Sequence, residues 1–526
     1  MSEASQEAPI YETISTGYRA FLTLIVMAGA FMAILDTTVV DVVVPKMMGP
    51  LSTDLYGVQW VITAYMTAAA VGLLLTHSLS KVWGLKRLFM TGMVIFTTAS
   101  ALCGIAGSLA EMLSSRIIQG FGESFIMASA QTILFAIYPP KKRGLAMGIY
   151  AMGVSFAPSL GPTVGGWITE HLSWRWVFFI NLPVGVMNFV AAFSFLPIVD
   201  KFGGRLRFNF VSYLFLASAT VSLLILLSKG QQLGWMRSQL IVTLAFGAAI
   251  ATLCYLLSEL LSTHKLIDPA IFKIKIYTLS MGFYFFILGL SIYQLFYMLP
   301  LYYETLKDLG TFLTGIHMLS FAIFIAIFSP LAGILSDRYG PPQILILSTC
   351  LYLLTSRYLI PSLNYYTPSV KAALLTVPLG ISMGALFAPL SAMALSNLGD
   401  KTAQGVSLMH YLRFVGGSFG TAIATNTLER ARAVHYDGIA AMQNYGYVNN
   451  FVNQASLHLA PLFPPAVAKD KALMLLGRVQ YLQASSLAFQ DTFRICFGFG
   501  LVGAMFLVAI LIHSRRQRLE EAEALR

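Results

Sequence analysis

Fourteen long apolar stretches follow one another through this chain, at residues 20–42, 58–79, 88–108, 110–138, 146–168, 177–197, 210–228, 240–261, 277–302, 312–335, 344–360, 372–394, 405–428 and 492–512. About 20 consecutive apolar residues cross the hydrocarbon of a bilayer, so each stretch is long enough to span. All exceed strand length and none alternates with period two. Only 11% of the 526 residues are charged, against roughly 25% in soluble proteins. Most of the chain therefore has no water to face. The expected fold class is an all-α polytopic membrane protein with 14 transmembrane helices.

The formal charge of +11 would suggest nucleic acid in a soluble protein. Here the basic residues form short clusters between apolar runs and read as topology signals. Lys81, Lys86, Arg87, Lys141, Lys142, Arg143, Arg205, Arg207, Lys273, Lys275, Arg515 and Arg516 fall on one side if the N-terminus is inside. Both termini are then expected to be cytoplasmic. The first 16 residues hold three glutamates and no Lys or Arg, unlike a secretory or mitochondrial leader. The cysteines, Cys103, Cys254, Cys350 and Cys496, are too scattered for a disulfide framework or a paired-cysteine zinc site.

An internal repeat divides the chain. His77 to Arg87, with Gly84, Lys86 and Arg87, follows the second span, and Gly333 to Pro342, with Asp337, Arg338 and Gly340, follows the tenth. Setting spans seven and eight aside leaves two six-helix halves in the same order. The expected organisation is a tail at 1–19, an N-terminal bundle at 20–200, an inserted helix pair at 201–275, a C-terminal bundle at 276–513 and a tail at 514–526. Residues 429–490 form a long outer loop with two helix-like stretches, 428–445 and 466–489. In the second, Leu473, Leu476, Val479 and Leu482 recur at helical spacing, so an amphipathic hairpin is expected.

Few charges lie inside the spans, and these are the chemical candidates. Asp36 lies roughly 25 Å along the first helix, where a lone carboxylate must protonate or find a partner. Arg116 reaches a similar depth from the fourth helix. Either the pair alternates between proton and substrate, or it is a permanent buried ion pair. Glu123 lies about 10 Å deeper than Arg116 on nearly the same face, at the depth of transporter sites, and could be a counter-charge for a cationic substrate or a hydrogen-bonded neutral acid. Asp41 lies nearer the outer mouth, as a substrate contact or a solvated helix-end carboxylate. Arg413, one to two turns into the thirteenth helix, could meet a lipid phosphate, an acidic substrate or a carboxylate. Tyr293 and Tyr297, one turn apart, could stack on substrate or pack on lipid.

The small residues of the fifth span, Gly153, Pro158, Gly161, Pro162, Gly165 and Gly166, fit a close seam between halves with a bend. The alternative is generic helix packing. Asp337 could accept from helix N-termini while Arg338 holds a carboxylate, locking the inner faces together; a solvated turn is the alternative. The sequence Gly416-Gly417-Ser418-Phe419-Gly420 matches a hydrolase nucleophile elbow only in form, because no strand precedes it.

These motifs resemble the major facilitator superfamily, in particular its fourteen-helix drug:proton antiporters of the EmrB/QacA type. The resemblance rests on Leu35 to Pro45, on the loop pattern Gly333 to Gly340, on Arg116-Ile-Ile-Gln119-Gly120 and on Gly153 to Gly166. Trp174 to Pro183 and the long outer loop add to it. The chain departs from the pattern at His77, where glycine is usual, at Lys81, where aspartate is usual, and at Asp41, where asparagine is usual. The resemblance implies two six-helix bundles plus two central helices, working by alternating access. It also implies a non-enzymatic, proton-coupled multidrug efflux antiporter that contributes to antibiotic resistance. Asp36, Arg116 and Glu123 would couple protons, with no cofactor besides the proton gradient. A bacterial inner membrane is the implied location, with a periplasmic adaptor and an outer-membrane channel reached through loop 429–490. Export of one metabolite, such as a siderophore or fatty acid, and a non-transporting receptor or scaffold are the rival readings.

Overall fold

The computed structural model describes residues 10–199, 209–441 and 446–524. Arg205 and Arg207, two of the topology signals, lie outside the described residues. Fourteen long helices succeed one another: α1 (Thr16–Met47), α2 (Trp60–Trp83), α3 (Leu85–Ile105), α4 (Leu109–Ile137), α5 (Arg143–His171), α6 (Trp176–Phe195), α7 (Phe210–Lys229), α8 (Gln239–Leu261), α9 (Lys275–Leu306), α10 (Thr311–Tyr339), α11 (Pro341–Ser362), α12 (Ser369–Leu395), α13 (Thr402–Ala440) and α14 (Pro465–Ala524). Among the described residues there is no strand. Thirteen of the helices are long and apolar enough to cross a membrane. The exception is α13, whose buried face includes Gln404, Ser407, His410 and Arg413 and lowers its mean hydropathy.

Backbone groups in a membrane must be satisfied within the protein, and the helix ends show how. Ser15 accepts from the Tyr18 amide at α1. Ser108 accepts from the Glu111 amide while Glu111 accepts from Gly107, a reciprocal cap on α4. Arg19 donates to the Ile137 carbonyl at the end of α4. Arg175, in the Trp174 to Pro183 motif, donates to the carbonyls of Gly104 and Ala106 at the end of α3.

Helices α1–α6 pack on one another, as do α9–α14. The repeat has a backbone signature: α2 turns into α3 at Gly84 (φ 79°) and α10 into α11 at Gly340 (φ 97°). Each donates its amide to a carbonyl four residues back, Ser80 at 2.8 Å and Ser336 at 2.9 Å. A single left-handed residue thus reverses the chain in each half. The inserted α7 packs against α8 and against α2 and α13, whereas α8 is almost wholly on the outside.

Two seams join the halves. Along the first, α5 and α10 are antiparallel and close from end to end: Gly144 beside Gly333, Gly148 beside Ser329, Thr163 beside Gly315 and Gly166 beside Phe312. A Cβ at Gly148 would lie 2.5 Å from the Ser329 carbonyl oxygen. In the second, α13 meets α2 and α4.

The outer hairpin differs from its expectation. Its two helical stretches are not free-standing: α13 continues unbroken to Ala440, and α14 begins at Pro465 and runs 60 residues to Ala524, about 90 Å. A separate helix, Gly446–Leu459, lies between them. The base of α14 is anchored, with Ser486 Oγ accepting from the Tyr365 amide and Phe489 against Tyr302. Higher up, Leu473, Met474, Leu475 and Val479 are exposed.

Gly84→Ala and Gly340→Ala should each destabilise the protein by about 1–3 kcal/mol, the cost of a side chain at a backbone conformation reserved for glycine. Gly477→Ala, in α14 with nothing near its missing Cβ, should instead be neutral or stabilise by about 0.5–1 kcal/mol. Thermal unfolding in detergent distinguishes the two classes.

Candidate functional site

The inner surface of the N-terminal half is organised around one carboxylate. Asp36 of α1 is 1% exposed and receives three donors: Arg116 Nη1 at 2.6 Å, Gln119 Nε2 at 3.1 Å and Asn181 Nδ2 at 2.6 Å. Arg116, wholly buried, also donates to Gln119 Oε1 (2.8 Å) and to the Val61 carbonyl (3.3 Å). Its guanidinium carbon lies 3.9 Å from the centre of the Tyr65 ring. Asn181 passes the network on to Ser100, which donates to the Phe178 carbonyl. Close packing of α2 on α4 brings Tyr65 over the arginine, since a Cβ at Gly120 would meet the Tyr65 carbonyl.

Thus the depth-matched pairing of Asp36 with Arg116 is present. The surrounding acceptor and donor set was not anticipated from the sequence. Gln119 belongs to the Arg116 to Gly120 motif and Asn181 to the Trp174 to Pro183 motif, where its position inside an apolar run is the available signal. Tyr65 and Ser100 gave none. Asp41 is exposed and outside this network.

A second cluster lies at the seam between halves. Glu123 is 2% exposed, and its Oε2 has no hydrogen-bond partner. Arg413 of α13 is 6% exposed, with its Nε unpartnered. Arg413 lies within electrostatic reach of Tyr293, Tyr284, Tyr150 and Glu123. Tyr150 of α5 and His410 of α13 approach across the seam, Oη to Nε2 at 3.2 Å. Phe387 closes on the rings of Tyr150 and Tyr284. Tyr293 therefore belongs to this chamber, packed on Gly417. Tyr297 does not; it is 39% exposed on α9.

The backbone of α9 widens into π-helical turns over Tyr284–Ser291, an uncommon distortion that favours functional sites. There Gly289 meets Gly416, and a Cβ at Gly420 would meet the Leu290 carbonyl. The glycines of the elbow-like sequence thus serve helix approach within α13 and not a nucleophile.

On the face where α2 and α10 end, Asp337 bridges the halves. Its two carboxylate oxygens accept from the Gly144 and Leu145 amides at 2.7 and 2.8 Å, at the start of α5, where the helix dipole favours an anion. Gly333 allows this approach. Arg338 holds no carboxylate among the described residues; it is exposed and lies over the ring of its neighbour Tyr339. Lys86 donates to the Phe193 carbonyl near the end of α6, and Arg87 is exposed.

In α5, Pro158 and Pro162 lie within a continuous helix. Gly153 faces Met27 and Gly161 faces Thr38, both of α1, while Gly166 faces α10. Gly165 is buried, and its carbonyl accepts from Thr169. The motif therefore fits α5 between its own half and the other.

Residues 26–421 match the family model of the Major Facilitator Superfamily. The chain belongs to this superfamily. It is a multi-pass membrane transporter of EmrB-like type. It is 28% identical to the multidrug export protein EmrB of Haemophilus influenzae over 428 residues, covering 81% of this chain and 84% of the relative. It is 29% identical to the fatty acid resistance protein FarB of Neisseria gonorrhoeae over 481 residues, covering 84% and 92%. The fold matches the human organic anion transporter MFSD10 with a TM-score of 0.58 at 13% identity, over 93% of this chain and 99% of that one.

Removing one partner of a buried ion pair leaves an uncompensated charge, at a cost of about 3–5 kcal/mol. Arg116→Met should lower stability by that amount, and the Asp36→Asn/Arg116→Met double variant should recover most of it. Unfolding of the four members of this cycle in detergent measures the coupling.

Proposed function

We propose that this transporter is a proton-driven exporter of lipophilic compounds of varied structure. It would work in a bacterial inner membrane by alternating access, with both termini cytoplasmic. The carrying observation is Glu123: a carboxylate buried at the inter-half seam, with an oxygen unpartnered and an aromatic chamber beside it. An intramembrane carboxylate of this kind marks a pathway. It can hold a proton or the cationic end of a substrate, but not both at once. The apolar walls of Tyr150, Tyr284, Tyr293 and Phe387 select weakly among ligands, which suits a broad range. The EmrB relative's name supports the same reading.

Asp36 is the companion coupling residue in this proposal, and Arg116 its tuning partner. In the state described, its donors enclose it, so proton exchange at Asp36 requires the network to open as the helices move. The Asp337 bridge to α5 closes the cytoplasmic ends and must break in the inward-open state. No nucleotide is needed, because the proton gradient supplies the energy. Asp41 would contribute at the outer approach. The exposed apolar residues of the outer hairpin would dock a periplasmic adaptor leading to an outer-membrane channel.

A second reading, export of one acidic amphiphile, is favoured by Arg413, a buried cation facing the chamber without an ion pair among the described residues. The fatty acid resistance relative agrees with it.

Vesicles under an imposed pH gradient separate these readings. Asp36→Asn should bind substrate yet lose gradient-driven accumulation. Glu123→Gln should weaken a cationic compound about tenfold, equivalent to about 1.4 kcal/mol, and a neutral one much less. Arg413→Gln should do the same selectively for an anionic compound if the second reading holds. Full accumulation by the Asp36 variant would remove that residue from coupling.

A chain whose distal hairpin, residues 441–478, is replaced by a flexible linker retains the anchors at Ser486 and Phe489. It should transport normally in vesicles and fail to protect cells. Unchanged cellular resistance would exclude adaptor docking at this hairpin.

A further inference from the structure

The two departures from the family pattern in the first-half loop, His77 and Lys81, meet in one place. On the face where α2 ends and α13 begins, a small open cleft is lined by His77, Ser78 and Lys81 of α2, Lys265, Leu266 and Asp268 of the α8–α9 connector, and Gln404 of α13. It lies outside the Glu123 chamber and takes no part in the transport chemistry above.

Gln404 is 3% exposed, and both its amide oxygen and nitrogen lack a partner. His77 is 8% exposed, and its Nδ1 is likewise unpartnered. Buried polar groups are nearly always hydrogen-bonded, so two orphans lining one cleft point to a ligand. The charges give its sign. Asp268 is the carboxylate of the cleft, and it is already engaged: Lys401 Nζ lies 2.6 Å from Oδ2, and Oδ1 accepts from the Ala270 amide. The lysine hydrogen bond holds the Asp268 carboxyl below its ordinary range, so the pair stays formed at neutral pH. Lys81 and Lys265 are in no ion pair among the described residues. Gln404 also rises from the first turn of α13, the positive end of the helix dipole.

We propose that this cleft is a regulatory site for a phosphate-bearing anion, either a phospholipid headgroup or soluble phosphate. Two ammonium groups, an amide N–H and an imidazole suit a group with several acceptor oxygens and more than one charge. The cleft adjoins an apolar crevice lined by Leu73, Leu74, Leu266, Ile267 and Leu408, sharing His77, Leu266 and Gln404 with it. Leu73, Leu74 and Leu266 are buried in that crevice, so the cleft receives the phosphate group itself and not an acyl chain. The bound anion ties α2 of one half to α13 of the other through the connector. It therefore stabilises the state in which these ends are together, by linkage.

The test uses the full chain in nanodiscs of phosphatidylcholine alone, or with one third phosphatidylglycerol, and reads the thermal unfolding midpoint. A third arm titrates inorganic phosphate into the phosphatidylcholine discs at constant ionic strength, with chloride as control. Wild type should be stabilised saturably in the phosphatidylglycerol arm if the source is lipid, or in the phosphate arm if it is soluble. Lys81→Gln and Lys265→Gln should each raise the half-saturating concentration about tenfold, one charge-assisted contact apiece. Gln404→Met removes the orphaned amide at similar volume. It should be as stable as wild type in phosphatidylcholine and lose the ligand-dependent shift, which a merely structural residue would not do. No shift in either arm, or the same shift in all three variants, overturns the proposal.

Discussion

Five of the six helices in the N-terminal half converge on a single carboxylate. Asp36 belongs to α1, Arg116 and Gln119 to α4, Asn181 to α6, Ser100 to α3, and the Val61 carbonyl that receives Arg116 to α2. A charged pair taken from water into the bilayer interior has a large desolvation cost, recovered only when geometry and extra hydrogen bonds are good. That requirement fixes where these helices sit relative to one another. An apolar bundle alone would not, because lipid is as good a neighbour for Leu as another helix.

The sixth helix is the exception, and the exception is informative. No side chain of α5 enters the Asp36 network; the helix packs through Gly153 and Gly161 on α1 and through Gly144, Gly148 and Gly166 on α10, with Tyr150 reaching His410 of α13. Contacts of this kind permit sliding and tilting without stranding a charge. The one ionic feature at its start, Asp337 on the Gly144 and Leu145 amides, comes from the opposite half. Five helices of the N-terminal half are thus tied to one another by this network, and α5 is packed between them and the other half, an arrangement that suits rocking of one half on the other.

Much of this was legible in the chain itself. Rise per residue placed Asp36 and Arg116 at one depth, and two glycines at equivalent loop positions disclosed the repeat, because a reversal in a single residue needs left-handed backbone. What escaped was carried by neutral residues. Asn181 and Gln119 have no charge to betray them in an apolar run, and the Tyr65 ring reaches Arg116 only through the α2–α4 contact at Gly120. Polarity changes near residue 490 and predicts a separate outer helix followed by a span, where the structure has one unbroken α14. Polarity, however, marks the membrane boundary and not the helix end; no Pro or Gly interrupts 478–497, and the backbone continues. Charge alone pairs Arg338 with a nearby carboxylate, and its place over the Tyr339 ring is a tertiary outcome that charge does not encode.

The two polar centres differ in a way that bears on how they could cooperate. At Asp36 both carboxylate oxygens are matched by donors, and Arg116 is left with only its Nη2 unpartnered, so the network resists change until something competes for Arg116 or protonates the carboxylate. At Glu123 and Arg413 opposite charges face one chamber from opposite halves, with atoms on each left unpartnered. A group entering that chamber can satisfy one side only by altering the field at the other, and the coupling is strong because the surroundings have low dielectric. Glu123 and Arg116 are seven residues apart on α4, nearly on one face of the helix. A shift of α4 relative to α1 therefore acts on both centres, so the helix itself links occupancy at the seam to the state of the locked pair.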